Sequence, residues 1–157
     1  MEFLRYTHVF FMLFVWIYAL IFLGPKRVRE LLPVGVIALL VLFVIEQFLL
    51  TLNLYQFINP LVNIYGTPLY HLIWGAGSGI VYIHYMKRGF SKQVVIVIFF
   101  ALLTTVIESI TEAAGVASHL GGFTEVHEFF IDILALVLLK WISIGLYGGR
   151  ILKDDMK

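Results

Sequence analysis

Apolar residues run along the chain in five stretches, 4–24, 31–53, 68–86, 93–115 and 128–148. Crossing a bilayer takes about 20 predominantly apolar residues, and each stretch is of that order. A backbone facing lipid must satisfy its own hydrogen bonds, so all five are predicted to be helices. No run of short segments of alternating polarity suggests a barrel. Between the second and third stretches, Leu54 to Thr67 is apolar too, but Asn53, Asn59, Pro60, Asn63, Gly66 and Pro68 interrupt it. That punctuation predicts a loop or a shallow re-entrant turn. With no internal repeat or second domain in view, the expected fold is an all-α bundle, one transmembrane domain over residues 1–157.

Composition supports lipid as the solvent. Of the 157 residues, 61% are hydrophobic and only 13% charged, against roughly 25% charged in soluble domains. The net charge of +1 gives no reason to expect nucleic acid as a partner. The absence of cysteine excludes disulfides, thiolate metal sites and cysteine nucleophiles.

Charge order then sets an expected orientation. Lys26, Arg27 and Arg29 follow the first stretch, Lys87, Arg88 and Lys92 the third, and Arg150, Lys153 and Lys157 the fifth. Nine of the eleven basic residues thus fall on one side of a five-span chain, the side expected to be cytoplasmic. Arg5 and Lys140 are the exceptions. The first stretch is not expected to be a cleaved signal peptide: Glu2 and Arg5 cancel before it, and no small-residue cleavage pattern follows it. The amino terminus is expected outside, the carboxyl terminus inside, and the location a bacterial cytoplasmic membrane. In the third stretch Gly75 and Gly79 lie four apart, a spacing that lets helix backbones approach closely. It serves either internal packing or a homo-oligomer.

The acids gather opposite the bases. Glu46, Glu108, Glu112, Glu128 and Asp132 are expected in the outer halves of their spans, with Glu125 in the loop before the fifth. His8, His71, His119 and His127 share that side, and only His84 lies near the other. Glu108 and Glu112 are expected roughly 10 and 5 Å below the outer end of their helix. They share a face with Thr104 and Thr111, as Glu128 and Asp132 share one on the last helix. Charges inside a span cost at least about 2.5 kcal/mol, so such a group is functional by default. Close carboxylates need a cation, shared protons or partner histidines.

A divalent transition metal would meet that need, because carboxylates with neutral imidazoles suit zinc, iron or manganese. The expected ligands come from Glu46, His71, Glu112, His119, His127, Glu128 and Asp132, and Gly121 and Gly122 allow the loop to fold over the bundle. No zinc signature is present. A proton or cation pathway and a structural polar network are the other two readings. His8 and His84 are expected at interfaces; His71 is either a ligand or an interface residue. Haem is not expected, because no second span supplies a histidine at the inner depth. Lys140, in the middle of the fifth stretch, either snorkels inward or pairs as counter-ion with Glu46 or Glu108.

The last half of the chain resembles a family of short multi-span membrane proteins of endospore-forming bacteria. The resemblance lies in Val106-Ile107-Glu108 closing a late helix, in Gly121-Gly122-Phe123, and in the apolar helix that follows. Phe123 stands where that family often has tryptophan. Membership implies a bacterial cytoplasmic membrane and carries no activity with it.

The leading expectation is a metal-dependent hydrolase or transferase for a lipid or lipid-linked substrate, with Glu108 as general base. Proton- or cation-coupled transport is the alternative, and an accessory subunit of a membrane complex the third reading. Membrane lipids are the expected partners.

Overall fold

The computed structural model describes residues 6–148 and 151–152. Glu2, Arg5, Arg150, Lys153 and Lys157, used above for orientation, lie outside the described residues. Helix α1 (Thr7–Tyr18) passes into a π-helical turn at Ala19–Leu23. Gly24 ends that turn at φ 80°, a conformation glycine adopts without steric cost. Pro25 then occupies the first position of α2 (Pro25–Thr51), where its missing N–H and fixed φ suit a helix start. The second helix therefore begins at Pro25 and not at residue 31, and Lys26, Arg27 and Arg29 lie in its opening turns instead of a loop.

The remaining helices are α3 (Leu69–Tyr85), α4 (Phe90–Ala113) and α5 (Glu125–Tyr147). Of the five, α2, α4 and α5 are long and apolar enough to cross a membrane. α3 has 17 residues, about the shortest helix that spans, and Thr7–Leu23 is a shorter apolar helix.

α3 is the central element. α1 and α2 both pack on it, α4 packs on α5, and α5 returns to α2. Its glycines explain how. A Cβ on Gly79 would overlap the Cβ of Ala38, one on Gly75 would overlap Leu42, and one on Gly77 would lie 2.8 Å from Val15. Gly35 of α2 completes the close approach, since a Cβ there would lie 2.9 Å from Ile80. The small-residue stripe is thus filled by α2 of the same chain. Around it Leu31, Val34, Ile80, Tyr82, Ile83 and Leu139 form the main core.

The outer faces are apolar. Phe10, Phe14 and Phe22 of the first helix, Phe99 and Val106 of α4, and Phe130, Trp141 and Leu146 of α5 are all exposed. A large exposed apolar surface marks contact with a membrane or a partner.

The segment from Leu54 to Thr67 is the expected non-helical connection, but it contains short strands that the sequence did not suggest. It contributes β1 (Tyr55–Phe57) and β2 (Asn63–Ile64), the latter paired with β3 (Thr67–Pro68). β1 pairs antiparallel with β4 (Ala117–His119), Tyr55 lying opposite His119. Leu49, Tyr55, Ala117 and Phe123 form a small core under this pairing. The α2–α3 and α4–α5 connections are thereby tied together at one end of the bundle.

Candidate functional site: a buried acid–histidine cluster

β4 and the start of α5 set the centre of the cluster. Val116 and Thr111 close the end of α4 through a backbone hydrogen bond of 3.1 Å, and β4 follows at once. This brings His119 back over the last turn of its own preceding helix. The Glu112 carboxylate accepts from the His119 backbone N–H at 3.1 Å and lies 2.9 Å from Nδ1. On the other side of the ring, Nε2 lies 3.1 Å from Glu128. One imidazole thus bridges carboxylates from α4 and α5.

Glu108, one turn deeper on α4, is buried and faces Glu128 closely enough for the two carboxyls to share a hydrogen bond. Asp132 accepts from the Thr105 hydroxyl at 3.3 Å. Across the bundle, buried Glu46 of α2 meets buried His71 of α3 at 3.3 Å. The His71 ring packs against Trp74, Phe57 and His8. Tyr55 on β1 lies between the two halves, edge-on to His119 and in hydrogen-bonding reach of Thr111. Burial, and then the charges of Glu108, Glu46 and Glu128, push its phenol well above the ordinary value. It therefore stays a hydrogen-bond donor.

Two acids retain an oxygen without a partner: Oε2 of Glu46 and Oε2 of Glu108 are buried and accept no hydrogen bond, and His8 Nε2 is likewise unpartnered. Buried polar atoms are nearly always satisfied, so each such exception needs an explanation such as a water or an ion. A cavity of about 10 Å³ is lined by His8, His71, Glu108 and Thr111, on the order of one water in size.

The structure brings together Glu46, His71, Glu108, Glu112, His119, Glu128 and Asp132. It leaves out two of the residues singled out from the sequence. His127 is exposed: its ring stacks on Phe123 and its Nδ1 lies 2.9 Å from the Thr124 hydroxyl. It points away because Glu128, one residue on along the helix, takes the inward position. Lys140 is not a counter-ion to the cluster. Its ammonium donates to Gln93 at 3.2 Å and sits 5.6 Å from the Trp141 ring centre. Twelve residues of helix separate it from Glu128, roughly 18 Å along the axis.

Three participants were missed from sequence. His8 is buried against His71 instead of lying at an interface. Tyr55 enters through β-pairing across 64 residues of chain, for which no local signal exists. Glu125 opens α5 and does not sit in a loop. Thr124 followed by acids at 125 and 128 is a helix-start pattern that could have found it. Together Glu112, His119 and Glu125 place one ligand atom each within 4.8 Å of the others, a spacing that could hold a metal ion.

No protein family, curated protein or solved structure matches this chain. The fold and the exposed apolar faces define a mostly helical protein with three helices long and apolar enough to cross a membrane.

Proposed function

We propose that the protein spans the membrane five times, amino terminus outside, and carries a divalent-metal centre at its extracytoplasmic end, with a lipid or lipid-linked molecule as substrate. The orientation rests on charge: Lys26, Arg27, Arg29, Lys87, Arg88 and Lys92 lie at the end away from β1 and β4. Glu112, His119 and Glu125 are the proposed ligands, and their mutual approach within 4.8 Å is the observation that carries the reading. Two carboxylates and one imidazole suit zinc, iron or manganese. Glu128, bonded to the far nitrogen of His119, orients the ring, the usual role of a carboxylate behind a histidine ligand.

A metal in such a site supplies a bound water with a pKa lowered to about 7. Glu108 is the proposed general base, buried beside Glu128 with one oxygen unpartnered. Transport is the less favoured reading, because the linked acids and histidines occupy one end only. Toward the other end the described core between α2, α3 and α5 is aliphatic and aromatic, and its lysine binds Gln93.

Purified protein reconstituted in lipid vesicles tests the choice. The expected result is metal-dependent cleavage or transfer of a lipid ester or phosphoester, lowered at least about 100-fold in Glu108→Gln, the usual range for a lost acid–base group. Dissipation of an imposed pH gradient, lost in the same variant, would reject the enzyme in favour of a transporter.

A further inference from the structure

α4 packs on α5 and barely meets α3, so α1, α3 and α4 leave a groove of about 630 Å³ between them. That volume falls within the range of small-molecule sites. Its walls are mostly apolar, with Phe14, Val81, Phe99, Phe100 and Leu103 typical, while Tyr18, Tyr85 and Lys87 line the end away from the cluster. From Trp74 to Tyr85 along α3 it runs roughly 17 Å, about the depth of one leaflet of a 30 Å hydrocarbon core. It is an alkyl-shaped space.

One end of the groove adjoins the acid–histidine cluster. Phe11, Trp74 and Ile107 line both the groove and the 10 Å³ cavity under His8, His71 and Glu108. Four polar side chains more than nine-tenths buried line that small cavity, His8, His71, Glu108 and Thr111, and His8 and Glu108 are the two that matter here. Each has an atom without a hydrogen-bond partner, His8 Nε2 and Glu108 Oε2. An apolar groove that shares a wall with an unsatisfied acceptor and an unsatisfied imidazole nitrogen suits an amphiphile whose head reaches past that wall.

The charge around that end selects the head. Glu46, Glu108 and Glu128 are buried there, with Asp132 on the next turn of α5 and no lysine or arginine among them, so a phosphate or carboxylate head would add a further acid to a buried site with no cation to pair it. A hydroxyl donates its one hydrogen to Glu108 and accepts from Nε2–H of His8, at no charge cost.

We propose that the groove between α1, α3 and α4 binds the alkyl chain of a single-chain lipid with a neutral hydroxyl head, and that His8 and Glu108 hold that head. This deepens the function proposed above by naming its substrate class, and rests on it only in taking the cluster to meet a lipid.

The test uses the full chain in lipid nanodiscs, metal-free and metal-loaded, with a long-chain alcohol bearing a mid-chain diazirine. Irradiation should attach the probe to α4 near Leu103 and Phe100 and to α1 near Phe14. Unlabelled alcohol should compete at least about tenfold better than a fatty acid of the same length. Glu108→Gln should narrow that preference, and Ser78→Leu, which fills the groove from α3, should abolish labelling there. Leu103→Trp fills it from the opposite wall and serves if Ser78→Leu loses helicity. Labelling spread over all the lipid-facing helices and indifferent to both groove-filling variants would overturn the proposal, as would equal or better competition by the fatty acid. Labelling of the groove in metal-free protein that never takes up metal would leave this inference standing while removing the metal centre.

Discussion

At the level of single residues, the cluster is a set of buried groups that satisfy one another incompletely. Glu46 has one oxygen on His71 and the other on nothing. Removing His71 leaves that carboxyl with no partner, and an unsatisfied buried group costs about 1–3 kcal/mol, more when charged. His71→Ala is therefore expected to lower the detergent-solubilised melting temperature sharply. Glu46→Leu combined with His71→Leu should cost clearly less than the sum of the two single changes, because both ends of the pair go together. Strict additivity in that cycle would mean that the contact contributes nothing. The sequence made most of these residues legible by type and depth: Glu46, Glu108, Glu112 and Asp132 were singled out by their cost inside a span. It did not distinguish His127 from Glu128. Neighbours on a helix point about 100° apart, and the choice of inward face depended on where α5 begins, at Glu125 and not at residue 128.

At the level of elements, α2 and α3 are in close contact, and in the proposed membrane setting that contact holds the bundle, since lipid is as apolar as the side chains and supplies no hydrophobic drive. Gly79→Val pushes a branched side chain into Ala38 and Leu139. Overpacking of this kind costs typically 1–3 kcal/mol, so the variant should melt at lower temperature and retain less folded protein after detergent extraction. Gly145→Ala is the control: nothing lies within 4 Å of a Cβ there, and alanine favours helix by up to about 1 kcal/mol. Equal stability of the Gly79→Val variant and wild type would contradict the packing described. The helices were readable because a long apolar run has few other structures to adopt. The four strands were not. Each has two or three residues, too few for a period-2 pattern, and β1 finds β4 only because four helices have already brought their ends together.

At the level of the whole molecule, an apolar exterior encloses a polar end. Strands from two distant connections cap that end. Seven elements, α1, α2, β1, α3, α4, β4 and α5, send acids, imidazoles and a phenol there, and three of these groups come within ligand spacing of one another. The convergence of depth was visible in the sequence, whereas the set Glu112, His119 and Glu125 depends on β4 turning His119 back over α4, which no local pattern encodes. The proposed activity depends on that end being a metal centre. The direct measurement is elemental analysis of protein purified in mild detergent after supplementation with zinc, iron or manganese. The account predicts close to one ion per chain in wild type and in His127→Ala, whose imidazole faces outward, with a large loss in His119→Ala and in Glu112→Gln. Wild type free of metal under all three supplements, or metal retained in His119→Ala and lost in His127→Ala, would contradict it.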